Sequence, residues 1–253
     1  MRTLVLCVAL LLASPLFGAD KLIMATQEFA PFHYMVDDKP SGPGVDIILA
    51  AAAKADLPCE VQLLPWRRAQ EEAKNGRVHG LFLLGKNAER EQWLSFTTPI
   101  LTTEYGLFTR IGSDWTYEDA ESLRDRTIAV YGPSNTANSL EKIKAQLDGS
   151  VKIEMRPDDE AGFRKLNVGR VDGVYSNKAV GLALVRKLKL EHVAYGGIHK
   201  PVKYYAALST AHTDAATVEA FNAAMAAIVA DGTVAQIISK YGMQDDVVVG
   251  AAD

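Results

Sequence analysis

Arg90 is the side chain whose type and setting could do the most chemistry. It follows an apolar run over residues 78–84 and Gly85, and it stands just ahead of a second extended segment. A guanidinium is a rigid fork that meets a carboxylate with two parallel hydrogen bonds, which lysine cannot do. Such a charge-assisted bond contributes roughly 1.5–3 kcal/mol. An arginine after a strand of a parallel sheet lies near the carboxyl edge, where open α/β sheets bind ligands. Glu89 and Glu91 keep the alternative open, a surface arginine in a charged loop.

Phe29 and Trp66 follow two other predicted strands and could wall an apolar or cationic group. They read equally as core aromatics. Arg67 and Arg68 come directly after Trp66; one could face a cleft, and a solvated helix face is the alternative. In the second half of the chain, Ser134, Asn135 and Thr136 open a helix after a Gly-Pro turn. Free backbone N–H groups there can hold an anion, and plain N-capping is the competing use. Asn177 ends a strand and can both donate and accept, or cap the helix that follows. Gly85 and Tyr131, at the ends of their own strands, complete the candidate ligand-binding set.

The elements that must position these residues alternate in type. Strands are predicted over 22–26, 59–64 and 78–84, with helices over 45–55 and 66–74 between them. Residues 104–110 read as extended. A similar block follows, with strands over 127–131, 151–155 and 171–176 and helices over 136–147, 160–168 and 178–187. A strand over 204–209 and two closing helices end the chain. This is the pattern of α/β layers on a mostly parallel sheet. Two βα blocks with returning helices suggest two lobes joined by two crossings, near 104–111 and 201–209.

The N-terminus carries Arg2, an apolar run over 4–13 too short to span a bilayer comfortably, and then small residues up to Ala19. It reads as a secretory signal peptide over 1–19, with Cys7 inside its apolar stretch. The mature chain then keeps one cysteine, Cys59, so no intramolecular disulfide is available. A net charge of -4 offers no basic footprint for nucleic acid or an anionic membrane. The five histidines form no HExxH pair or Cys/His cluster, and there is no GxSxG elbow, P-loop or GxGxxG fingerprint. No catalytic residue, metal or cofactor is predicted, which favours binding over chemistry.

The chain resembles the family 3 bacterial extracellular solute-binding proteins, the periplasmic receptors of polar amino acid ABC transporters. The resemblance rests on Phe29-Ala30-Pro31-Phe32, Gly44-Val45-Asp46-Ile47, Glu89-Arg90 with Ser95-Phe96-Thr97-Thr98-Pro99, Val171-Asp172-Gly173-Val174 and Ile238-Ser239-Lys240-Tyr241-Gly242. Pro65-Trp66-Arg67-Arg68-Ala69 is similar to a divergent branch with a PWxRA pattern. The resemblance implies a type II periplasmic-binding-protein fold, two α/β lobes joined by a two-strand hinge. Lobe 1 would hold 20–108 plus 205–253, and lobe 2 would hold 109–204. It also implies a monomer that binds a small molecule and docks on a membrane permease. By position, Arg90 would hold the ligand carboxylate, Phe29 and Trp66 would flank its side chain, and Ser134 and Asn135 would add hydrogen bonds.

Three departures bear on the ligand. Asn177 stands where the family usually keeps an aspartate for the α-ammonium group, and Thr26 where some relatives carry another carboxylate. Phe82-Leu83-Leu84-Gly85 lacks the usual hydroxyls and is one residue shorter. A carboxylate without an amino group is therefore a candidate beside an amino acid. The rival readings are a periplasmic enzyme on the same scaffold, with Glu28 or Glu104 as the cleft acid, and a sensory receptor for a separate membrane kinase.

Overall fold

The structure is a computed structural model and describes residues 21–250; the predicted signal peptide lies outside the described residues. The chain begins with β1 (Leu22–Thr26), a hairpin of β2 (Tyr34–Val36) and β3 (Lys39–Ser41), and α1 (Pro43–Lys54). Next come β4 (Cys59–Leu63), α2 (Trp66–Lys74), β5 (Gly80–Gly85), the single turn α3 (Ala88–Glu91) and β6 (Leu94–Phe96). A long strand, β7 (Leu101–Arg110), leads to β8 (Thr127–Tyr131), α4 (Asn135–Gln146), β9 (Lys152–Arg156), α5 (Asp159–Asn167), β10 (Gly173–Asn177) and α6 (Lys178–Leu188). The chain returns along β11 (Val193–Ser209) and closes with α7 (Ala215–Ala230), α8 (Thr233–Lys240) and the short β12 (Val248–Val249).

The main sheet runs β4-β1-β5-β11-β7-β10-β8-β9. Its two flanks are parallel: β1 pairs with β4 and β5, and β8 pairs with β9 and β10. Between them β7 and β11 run antiparallel over most of their length. This is the bilobal type II arrangement, with two βα lobes and a two-strand connection. Parallel strands need crossover helices, and these bury apolar faces on the sheet: Ile47, Ile48 and Ala51 of α1, Leu140 and Ile143 of α4, Phe163 and Leu166 of α5. At about 25 cal/mol per Å², each fully buried large aliphatic side chain contributes roughly 1.5–3 kcal/mol.

Most predicted elements stand within one or two residues of those observed. The largest departure is β11, which begins eleven residues before the strand predicted at 204–209. Its first stretch, Tyr195-Gly196-Gly197-Ile198-His199-Lys200-Pro201, has two glycines and a proline, a poor strand signal. Two register shifts against β7, near Gly197 and near Lys200, absorb the misfit. The hairpin β2–β3 was also unread. It turns on Asp37 and Asp38, both in the left-handed region that aspartate tolerates.

Candidate functional site

The carboxyl ends of β1, β5 and β8 face a cleft between the two lobes. Arg90 reaches it from α3, whose cap is Asn87: the Asn87 side chain accepts the Arg90 backbone N–H at 2.9 Å. The Arg90 guanidinium donates through Nη1 to the Gly85 carbonyl at 2.7 Å and lies over the Trp66 ring, 5.1 Å from its centroid. It is 8% exposed and has no ion-pair partner among the described residues. Burial lowers its pKa from the ordinary value, yet a guanidinium stays charged. A sequestered, singly bonded cation remains, with a donor fork still to be filled.

The strand below it is irregular. Opposite β11, Tyr205 faces Leu84 and Ala206 faces Phe82, so Leu83 is the extra residue of a bulge, at φ 46°. Holding a leucine in the left-handed region costs about 1–2 kcal/mol, and such conformations cluster where a chain must re-aim its groups. A Cβ at Gly85 would sit 2.8 Å from the Asn135 amide nitrogen, so a larger residue here would push that side chain off the Gly85 carbonyl.

The opposite wall is built at the end of β8. The Tyr131 hydroxyl donates across the cleft to Gln27 Oε1 at 2.9 Å. Ser134 caps α4, accepting from the Ala137 N–H at 3.1 Å and donating to the Tyr131 carbonyl at 2.7 Å. Asn135 accepts from Asn87 Nδ2 at 3.0 Å and donates to the Gly85 carbonyl at 3.4 Å. The two lobes are thus in direct contact around the site.

These groups enclose a cavity of about 60 Å³, whose lining includes Phe29, Trp66, Gly85, Arg90, Tyr131, Ser134, Asn135 and Thr136. Room for one water takes roughly 10–15 Å³, so the space holds a few waters or the polar end of a small solute. Burial raises the pKa of Tyr105 and of Tyr204, which also line it, so both remain protonated. A wider groove of about 640 Å³ adjoins it, sharing Gln27, Phe29, Trp66 and Tyr131, and adds Glu28 and Asp159.

Two predicted site residues stand apart. Arg67 is largely exposed, 3.9 Å from Glu71, and borders only an outer groove. Asn177 is buried and committed: it caps α6 through the Val180 N–H and donates to Thr103 Oγ1 and the Tyr204 hydroxyl, each at 3.3 Å. It does not line the cavity. Of the two acids raised for catalysis, Glu104 is paired with Lys178 at 2.8 Å, and Glu28 lies in the outer groove.

The structure adds residues that sequence reasoning passed over. His33, treated as one of several scattered histidines, is 1% exposed and lines the cavity. Its signal was its place in the loop leaving the carboxyl end of β1. In the acidic run Asp158-Asp159-Glu160, Asp158 caps α5 by accepting from the Ala161 N–H at 2.7 Å. Asp159 instead turns towards the cleft beside Ser176, and burial with Asp158 nearby pushes its carboxyl up to about 7.

Comparison with known proteins fits this arrangement. The profile described as "Bacterial extracellular solute-binding proteins, family 3" matches residues 22–244. The probable amino-acid-binding protein YxeM of Bacillus subtilis is 25% identical over 225 residues, which is 87% of this chain and 83% of that protein. Among solved structures, a histidine kinase sensor domain with similarity to periplasmic binding proteins superposes with a TM-score of 0.78 at 20% identity, covering 88% of this chain and 96% of that one. An ancestral arginine-binding protein bound to arginine gives 0.77 at 23% identity, covering 87% and 97%. With nearly the whole described chain matched, this protein belongs to the bacterial extracellular solute-binding proteins, family 3.

Proposed function

We propose that this chain is a periplasmic receptor that captures a small polar solute bearing a carboxylate, an amino acid or a close relative, and presents it to a membrane ABC permease. The observation that carries the reading is Arg90: a buried guanidinium with one protein acceptor and no ion pair among the described residues. A buried charge without a partner costs several kcal/mol, and a ligand carboxylate is the natural complement. Names of similar proteins, a probable amino-acid-binding protein and an arginine-binding protein, support the solute class.

In this reading residues 1–19 direct export, and the mature monomer moves as two lobes, 20–108 with 205–253 and 109–204. The solute bridges them and stabilises the closed form by its differential affinity. Ser134, Asn135 and Thr136 contribute from the second lobe, and Phe29 with Trp66 walls the first. The role is binding without turnover.

The test is thermal unfolding of protein unfolded and refolded to strip bound solute, against amino acids, their deaminated analogues, dicarboxylates and polyamines. A solute at 100 times its Kd adds about 2.7 kcal/mol, a midpoint shift of about 5–10 °C for a chain of this size. Shifts confined to polyamines, or carboxylate shifts kept in Arg90→Met, overturn the reading. Conversion of a bound solute during long incubation would move the assignment to an enzyme.

A further inference from the structure

The inner cavity, at about 60 Å³, takes the end of a solute and no more, so the remainder of what Arg90 holds lies in an adjoining groove. Among the described residues no carboxylate lines the cavity: Arg90 is its one charged residue, and burial keeps its tyrosines protonated. An ammonium beside the held carboxylate would be enclosed there without a counter-charge. A cationic group on the solute has to sit further out.

The groove that shares Gln27, Phe29, Trp66 and Tyr131 with the cavity offers an acid at that position. Of the carboxylates on its wall, Asp158 caps α5, Glu160 pairs with Lys187, and Glu28 is exposed. Asp159 is half-buried and lines the groove without an ion pair among the described residues. Its carboxyl accepts from the Ser176 hydroxyl, and a carboxylate has about four acceptor sites, so most of its capacity is open. Its charge acts on Tyr105, Tyr131 and Tyr204, all on the cavity wall, which puts the carboxyl on the cavity side of the groove.

An acid in the first turn of a helix is commonly there for the helix, whose N-terminus favours negative charge. That use keeps a carboxyl ionised. Burial, with Asp158 close by, instead pushes Asp159 up to about 7. Above that pH the fold carries an enclosed charge that a solute cation would neutralise.

We propose that Asp159 is a ligand-contacting, specificity-determining residue, which pairs with a cationic group set several bonds away from the carboxylate that Arg90 holds. The proposal rests on the carboxylate reading of Arg90. The chain between the two charges passes the aromatic walls Phe29, Trp66 and Tyr131. The solute class is a carboxylic acid with a remote amine or guanidine, bridging Arg90 of one lobe and Asp159 of the other.

The experiment is calorimetry on stripped protein at pH 8. The probes are 4-aminobutanoate, 5-aminopentanoate and 6-aminohexanoate, their unsubstituted parent acids, 2-aminopentanoate and glutarate. Wild type should bind at least one of the three remote amines about tenfold or more tighter than its parent acid, and 2-aminopentanoate should gain no such factor over pentanoate. Asp159→Asn should bring the preferred amine down to the level of its parent, and Asp159→Glu should retain part of the preference. A readout that needs no variant is proton release: near pH 7 the preferred amine should expel about half a proton per site as Asp159 ionises, measured in buffers of different ionisation heat, and its parent acid should expel none.

A preference kept in Asp159→Asn, or binding of the amine without proton release, overturns the role of Asp159 alone. So does tighter binding of glutarate than of any remote amine, which would send the solute towards the lysine-lined groove. Parent-acid binding retained in Arg90→Met overturns the carboxylate reading beneath it.

Discussion

The two open ends of the cleft carry opposite charge. One is lined by Lys86, Lys142, Lys200 and Lys203 against Glu89 and Glu141. The other is lined by Glu28, Asp158, Asp159 and Glu160 against Lys187. Most of these charges are occupied locally: Lys86 pairs with Glu91 at 2.8 Å, Glu160 with Lys187 at 2.8 Å, and Asp158 caps a helix. Arg90 and Asp159 differ. They stand on either side of the Trp66–Tyr131 pair, one cation and one acid, each without an ion-pair partner among the described residues. Next to the shared Trp66 and Tyr131 walls, a cation and an acid are thus both left for a solute to meet.

The acidic end should give the largest effect on stability. Asp159 rises from 3.8 to about 7 in the folded chain, so the folded state holds a proton that the unfolded state has lost. Stability from this group is then full below the ordinary carboxyl value and falls as pH rises to about 7. The full shift is worth about 4 kcal/mol, and the solvent reaching Asp159 in the groove reduces this to roughly 1–3 kcal/mol. Denaturant unfolding of Asp159→Asn should show that gain over the parent near pH 8 and none near pH 4. His33 runs the other way, losing stability as pH falls from 6.5 towards 3, because only the unfolded ring takes up a proton there. Variant and parent share that slope, so their difference isolates Asp159. An equal gain at both pH values would remove the contrast between the ends.

Arg90 tests the contrast from the other side. Arg90→Met should weaken carboxylate binding by roughly 1.5–3 kcal/mol, about 10- to 150-fold by calorimetry. Ligand-free stability should hold or rise, since an apolar side chain replaces a buried cation with no ion partner. A variant that loses stability instead would show that the bond to Gly85 and the stack on Trp66 are structural. Of the two, only Asp159 would then be left uncommitted.

How much of this was legible depends on range. The two βα blocks were readable because hydrophobic period and turn chemistry are local: β1, α2 and β8 begin and end at the predicted residues. Arg90 was readable because it follows a strand in a parallel setting. Asn177 was placed at the right strand end, but its partners Thr103 and Tyr204 come from β7 and β11, and no local pattern announces them. The bulge at Leu83 had no local signal, because it is defined by the register against β11. Asp159 and His33 were hardest, since their importance is burial, set by elements far away in sequence. Glycines and a proline hid the first half of β11, which the antiparallel partner β7 holds extended.

Between the ends, Tyr131 is the joint that keeps the walls together. Its hydroxyl bond to Gln27 crosses the cleft, and a neutral bond of this kind contributes about 0.5–1.5 kcal/mol. Tyr131→Phe should shift the lobes towards an open form, read as a larger radius of gyration of ligand-free protein by small-angle scattering, and weaken binding by up to about tenfold. Unchanged dimensions and affinity would mean that Asn87 and Asn135 alone hold the closed contact.

The smallest effect belongs to the basic end, and it is kinetic. Lys142 and Lys200 have no ion-pair partner among the described residues, and burial with Lys142 nearby lowers Lys200 from its ordinary value. Exposed charges of this kind contribute little to equilibrium affinity but steer an approaching anion. Lys142→Gln should slow association of a carboxylate by about two- to threefold at low ionic strength, and the difference should shrink at 0.15 M salt, where the screening length is about 8 Å. Stopped-flow rates across a salt series read this directly, with Glu28→Gln as the counterpart, expected to speed entry. If Lys142→Gln has no effect while Glu28→Gln does, the solute enters by the acidic end, past Asp159, and the lysines are solvated surface only.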